Sequence, residues 1–91
     1  MKTVSLAELQ ARFLNKKVCL TETKNGINKK TVGVCHEITE LTSEENSFNF
    51  SLIIPPTKEL YRLIVVEEIT ATSIEGTIDP NRNIKRKVEL V

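Results

Sequence analysis

Tryptophan is absent from the 91-residue chain, and three phenylalanines and one tyrosine are its only aromatics. A core built without large rings needs dense aliphatic packing. A chain this short sits near the lower limit for a self-sufficient core and gains from extra burial against a partner or a second copy. Long apolar runs are also missing, which excludes a membrane-spanning helix. Met1 to Phe13 is amphipathic, unlike the continuous apolar stretch of a signal peptide. Only two cysteines occur, Cys19 and Cys35, with one histidine, His36. Two lone thiols fit a reduced, cytoplasmic protein. Tetrahedral zinc needs four ligands, commonly with a paired Cys-x-x-Cys, so no metal or other cofactor is expected. Cys19 and Cys35 read as small apolar fillers, neighbours on paired strands, and His36 as a half-buried, hydrogen-bonded side chain. A nucleophile–base pair and a phosphate loop are missing as well. The acidic run Glu37, Glu40, Glu44 and Glu45 has no visible cleft to make it a hydrolytic pair, so the chain does not read as an enzyme.

What is present is strand after short strand. Phe48, Phe50 and Leu52 alternate with Asn49 and Ser51, the period-two pattern of a half-buried strand. Pro55-Pro56 stops it, which places a strand over 47–54 at the centre of the core. Ahead of it, Ser5 with Glu8 forms a capping box, and Val4 with Leu9 a hydrophobic staple. Leu6, Leu9 and Phe13 make one apolar stripe, and Asn15 suits a left-handed helix end. The expected helix covers about 5–14. Further strands are expected at about 17–23, with Val18 and Leu20 inward, and 30–41, with Val32, Val34 and Ile38 on one face. An Asn25-Gly26 turn joins these two, and Gly33 marks a bend or close backbone approach. Two more are expected at about 60–66 and 69–75, separated by Glu67-Glu68, the last ending at Gly76. Asp79-Pro80-Asn81 reads as a turn. Asn83 to Val91 reads as either a short last strand or a docked tail within a basic stretch over 80–91. One helix followed by five closely spaced strands indicates a single mostly-β domain over 1–91, a small five-stranded SH3-like barrel.

Net charge is +1, unevenly spread. Residues 1–30 hold seven Lys/Arg and two Glu, residues 31–79 two Lys/Arg and nine Asp/Glu, and residues 80–91 four Lys/Arg and one Glu. Segregated charge fits a local anion-binding patch, or head-to-tail association of unlike faces. Lys24, Lys29 and Lys30 flank the Asn-Gly turn, and Arg82, Lys85, Arg86 and Lys87 form the denser cluster. Either can contact phosphates or simply stay solvated.

The helix, the strand with Gly33 and the run Phe48-Asn49-Phe50-Ser51-Leu52 together resemble the Sm/Lsm family over roughly residues 3–78. Glu45 takes the acidic position of that family's first motif, Phe48 the apolar position and Asn49 the asparagine. The segment from Gly33 to Asn49 is longer than in the family. Ser47 stands where a base-stacking side chain is common, and Val66-Glu67-Glu68 replaces the second motif. The resemblance implies an Sm-like barrel in a cyclic homo-oligomer, joined edge to edge through its last two strands, that binds single-stranded, U-rich RNA. Apolar edges at 60–66 and 69–75 would favour the same pairing. In such a ring Asn49 lines the pore and contacts a base, where otherwise it would hold a neighbouring loop. Phe48 could stack on a base, although its alternation places it in the core. Lys85, Arg86 and Lys87 would reach the RNA backbone. The alternative is a structural or protein-binding β-barrel module of a larger assembly, without nucleic acid.

Overall fold

A computed structural model describes residues 4–42, 45–79 and 84–91. Helix α1 (Leu6–Phe13) precedes six strands: β1 (Lys17–Lys24), β2 (Ile27–Glu40), β3 (Ser47–Ile54), β4 (Lys58–Ile69), β5 (Ser73–Asp79) and β6 (Ile84–Leu90). Each pairs antiparallel with the next, and β6 pairs with β1, so the meander closes into a barrel. The five-stranded expectation is therefore corrected to six. The basic tail is a full strand, because Ile84 and Val88 turn inward and are buried while the lysines between them do not.

The helix forms as its signals require. The Glu8 amide donates to the Ser5 hydroxyl at 3.1 Å, and Asn15 takes φ 63° beyond the last turn. Leu9 and Phe13 are fully buried. The Phe13 ring meets Phe50 edge-on, with centroids 6.4 Å apart, a favoured aromatic geometry. Val4 donates to the Asn46 side chain, Gln10 to the Ile38 carbonyl and Arg12 to the Thr70 carbonyl. These ties seat the helix as a plug over the barrel end where the β2–β3 and β4–β5 hairpins lie. No helix among the described residues is long and apolar enough to cross a membrane.

The sharpest departure from the expected pattern is in β2. Val32 and Val34 point outward, about two-fifths exposed, while Gly33 and Cys35 face the core. A bulge between Cys35 and Glu37 then resets the parity, so Ile38 is inward although it shares even numbering with the two exposed valines. Cys19 and Cys35 are consequently not neighbours: Cys19 lies opposite Val32 and faces out. A second bulge, between Val66 and Glu68, carries β4 through Glu67-Glu68 without a break. The turn falls at 70–72, not at 67–68, and β5 begins at Ser73. Gly76 lies inside β5 instead of ending it. A Cβ there would overlap the Val65 carbonyl, so only glycine lets β5 cross β4 this closely. Gly33 is the milder case, with a Cβ 2.8 Å from the Ile53 carbonyl oxygen.

The strand edges expected to remain open are mostly used within the chain. β5 has β4 on one side and β6 on the other. β4 joins β3 from Lys58 to Val65 and β5 from Val65 onward. Below Val65, arginines cap its outer carbonyls: Arg62 donates to Tyr61 and Arg86 to Leu63, both at 2.8 Å. Charged caps of this kind blunt an edge.

Candidate functional site

With α1 plugging one end, the barrel opens at the other, between the β1–β2 and β3–β4 hairpins. Asn25 (φ 52°) and Gly26 (φ 79°) form the first of these turns, the left-handed pair that the Asn-Gly dipeptide supplies. A cavity of about 230 Å³ sits in this mouth, lined by Leu20, Glu22, Lys29, Thr31, Ile54, Lys58, Leu60 and Arg62. All eight share the inward parity of the core residues on their strands. Strand alternation thus carries charge into the lumen wherever the apolar core runs out: Leu20 gives way to Glu22, and Ile64 to Arg62 and Lys58.

Arg86 belongs to the same interior set. Its Nε donates to Glu22 Oε2 at 2.7 Å, and its side chain is 12% exposed. Arg62 approaches the same carboxylate oxygen at 3.9 Å. Glu22 lies in register between Lys29 and Arg86. Four cations therefore share one acid, already engaged by Arg86. Lys29 and Lys58 have no acidic partner among the described residues. Closure explains the concentration of charge. Pairing β6 with β1 sets the two basic segments of the sequence side by side, Lys85 opposite Thr23 and Lys87 opposite Thr21.

The residues singled out in the sequence do not form one patch. Phe48 is 1% exposed, its ring in the core, so no face is open to a base. Asn49 points outward on β3, between Thr39 of β2 and Leu63 of β4. Its amide makes no hydrogen bond to a described residue, so the loop-holding role finds no support. Lys85 and Lys87 also face outward, but on β6, across the barrel from β3. Arg86 faces in. Consecutive strand residues alternate faces, so the dense basic run divides between lumen and outer wall. Arg82 and the turn at 80–81 lie outside the described residues, as does Glu44.

Sequence reasoning missed a second polar cluster. On the outer wall of β2, β3 and β4, Glu59 Oε1 accepts from Tyr61 at 2.6 Å and Ser51 at 3.0 Å, and lies 2.9 Å from His36 Nε2. His36 Nε2 is also 2.7 Å from Ser51 Oγ. The Tyr61 bond first, then those of His36 and Ser51, hold the Glu59 carboxyl below its ordinary pKa of 4.5. The same bond raises Tyr61. This is no hydrolytic relay. In a Ser–His–acid relay the serine and the acid use different ring nitrogens, whereas here both meet Nε2. Ser51 is 1% exposed beneath its neighbours, out of reach of a substrate. The bulge at His36, which put the imidazole over β3, could not be foreseen from composition.

The remaining titratable candidates do not converge. Burial pushes the Cys35 thiol up to about 11, making it inert. No group of three His, Cys, Asp or Glu side chains suited to a metal occurs among the described residues. Fold and site together define a closed, helix-plugged, six-stranded antiparallel barrel with a cationic mouth. No protein-family model, curated protein or solved structure matches the chain.

Proposed function

We propose that the protein is a non-catalytic binding module that takes an anionic group into its barrel mouth, in a reducing compartment suited to its two free thiols. One observation carries the reading: Lys29 and Lys58 face a shared cavity without acidic partners among the described residues, while the carboxylate that lines it, Glu22, is held by Arg86. Barrel mouths are common ligand sites. Like-charged side chains facing one another without a counter-charge repel, and an anion relieves that repulsion. At about 230 Å³ the cavity suits a single charged group better than a whole cofactor.

The test is a calorimetric titration with pyrophosphate, a generic polyanionic probe, at low salt. Lys58→Ala should weaken binding about tenfold, the equivalent of one charge-assisted contact, and added salt should weaken it further. No heat and no chemical-shift change at low salt would end this reading.

Single-stranded, U-rich RNA is a second reading, favoured by Lys85 and Lys87 standing outward beside Thr21 and Thr23. An Sm-like ring would add Asn49 from the opposite wall. Ring closure through strand edges must then use the few edge groups the fold leaves open. Oligo(U) titration against wild type and Asn49→Ala, with the mass in solution by light scattering, tests both the RNA and the ring.

A further inference from the structure

β2 outruns its neighbour. Its ladder with β3 reaches only to Val34 opposite Ile53, because Pro55-Pro56 ends β3 and proline has no N–H to offer. Residues 27–32 pair with β1 alone. In an antiparallel pair the N–H and C=O of successive residues point to alternate sides. The Cys35 amide donates to the Lys16 carbonyl, and its carbonyl accepts from Asn15, so Cys35 faces β1. By alternation Gly33, Thr31, Lys29 and Ile27 do too. Asn28, Lys30 and Val32 therefore turn both backbone groups the other way, where no described residue takes them. All three are exposed. This bare edge borders the mouth, since Lys29 and Thr31 line the cavity.

We propose, building on the mouth as an anion site, that an extended acidic segment of a partner protein adds as a strand to the Asn28–Val32 edge of β2. An added strand completes the backbone ladder, and side-chain pairing sets its preference. Its residue opposite Lys29 faces the lumen, near Lys58 and Arg62. The next residue faces outward opposite Lys30. Two consecutive acids meet both lysines, and opposite charges directly across a ladder are stabilising. Beside them, exposed Val32 favours a β-branched neighbour.

Other occupants fit less well. A second copy pairing antiparallel along the whole Asn28–Val32 edge sets Lys30 against its own counterpart, and like charges across a ladder are destabilising. RNA cannot complete a peptide ladder, and no aromatic side chain lines the mouth for a base to stack upon.

The experiment uses the full chain, ¹⁵N-labelled, and capped hexapeptides with two central glutamates flanked by valine and threonine. Binding should shift the amides of Asn28, Lys30 and Val32. N-methylation of the peptide amides that face β2 should weaken binding about tenfold or more, while methylation of the alternate amides should leave it within about twofold. Lys29→Glu should weaken the glutamate peptide about tenfold and favour a lysine peptide. Equal loss from both methylation patterns would overturn the strand addition. So would binding of pyrophosphate without the peptide, which leaves the mouth reading standing. Failure of both ligands would remove both proposals. Oligo(U) shifting the same amides in place of the peptide would overturn the partner assignment.

Discussion

Replacing Arg86 with methionine tests whether this basic residue is an interior support or a surface cation. The guanidinium makes a 2.7 Å bond to Glu22 and a 2.8 Å bond to the Leu63 carbonyl, which ends an open stretch of β4. Hydrogen bonds to charged groups contribute about 1.5–3 kcal/mol each. Glu22 is 28% exposed, so water recovers part of the loss, and the methionine stem keeps much of the apolar contact. The expected net cost is about 2–3 kcal/mol, or a Tm lower by about 10–20 °C in a domain of this size. Glu22→Gln keeps the Leu63 bond and a neutral acceptor, and should cost about 1 kcal/mol. The double variant should show a coupling of about 1–2 kcal/mol between the two sites. Thermal melts by circular dichroism, with urea midpoints as a second measure, provide all four corners of the cycle. A Tm loss under about 4 °C for Arg86→Met, or coupling below about 0.5 kcal/mol, would refute the interior assignment and return Arg86 to the surface.

Gly76→Ala should cost more than about 2 kcal/mol, since the new methyl overlaps β4 backbone; Gly26→Ala meets open space and should cost only about 1 kcal/mol for its positive φ. Urea midpoints compare the two, and equal costs would contradict the close β4–β5 crossing. Phe48→Ala should cost about 3–5 kcal/mol by the same measure, as expected of a ring sealed in the core. Glu59 has a lowered pKa in the folded state, so its contribution is present above the unfolded value near 4.5 and is lost as pH falls through the folded value. The Tm advantage of wild type over Glu59→Gln should therefore shrink between pH 6 and strongly acid solution, and an advantage that grows on acidification would contradict it. Cys19 should react with a thiol reagent in the native state and Cys35 only on unfolding, because burial raises its thiol to about 11; equal rates by mass spectrometry would count against the inward placement of Cys35.

The parts of the fold legible in the sequence are those governed by local rules. Ser47–Ile54 follows from the Phe48, Phe50, Leu52 alternation and the double proline. The helix follows from Ser5, Glu8 and the Leu9–Phe13 stripe. Asn15 and Asn25-Gly26 follow from their tolerance of positive φ. Two bulges hide the rest. Each inserts one residue between inward positions, Cys35 to Ile38 and Val66 to Ile69, so a strict period of two assigns the wrong face or a false break. Nothing local distinguishes Gly76 as a crossing point from Gly76 as a strand end, because the Val65 carbonyl that decides it lies on another strand. The sixth strand is obscured by Lys85, Arg86 and Lys87, whose uniform charge masks the Ile84, Val88 alternation. The mouth is hidden for a related reason. Lys29, Lys58, Arg62 and Arg86 lie far apart in sequence, and only barrel closure turns them toward a common space.

The pairing of β6 with β1 also sets the order in which the protein can come into being. Glu22 and its arginine are 64 residues apart, and contacts so distant slow folding. On the ribosome, β1 waits with one side bare until β6 emerges. Throughout that interval the first hairpin has only half its neighbours, and the nascent chain is at its most vulnerable to aggregation. Lysines spaced along that hairpin repel like strands from other nascent copies during the wait.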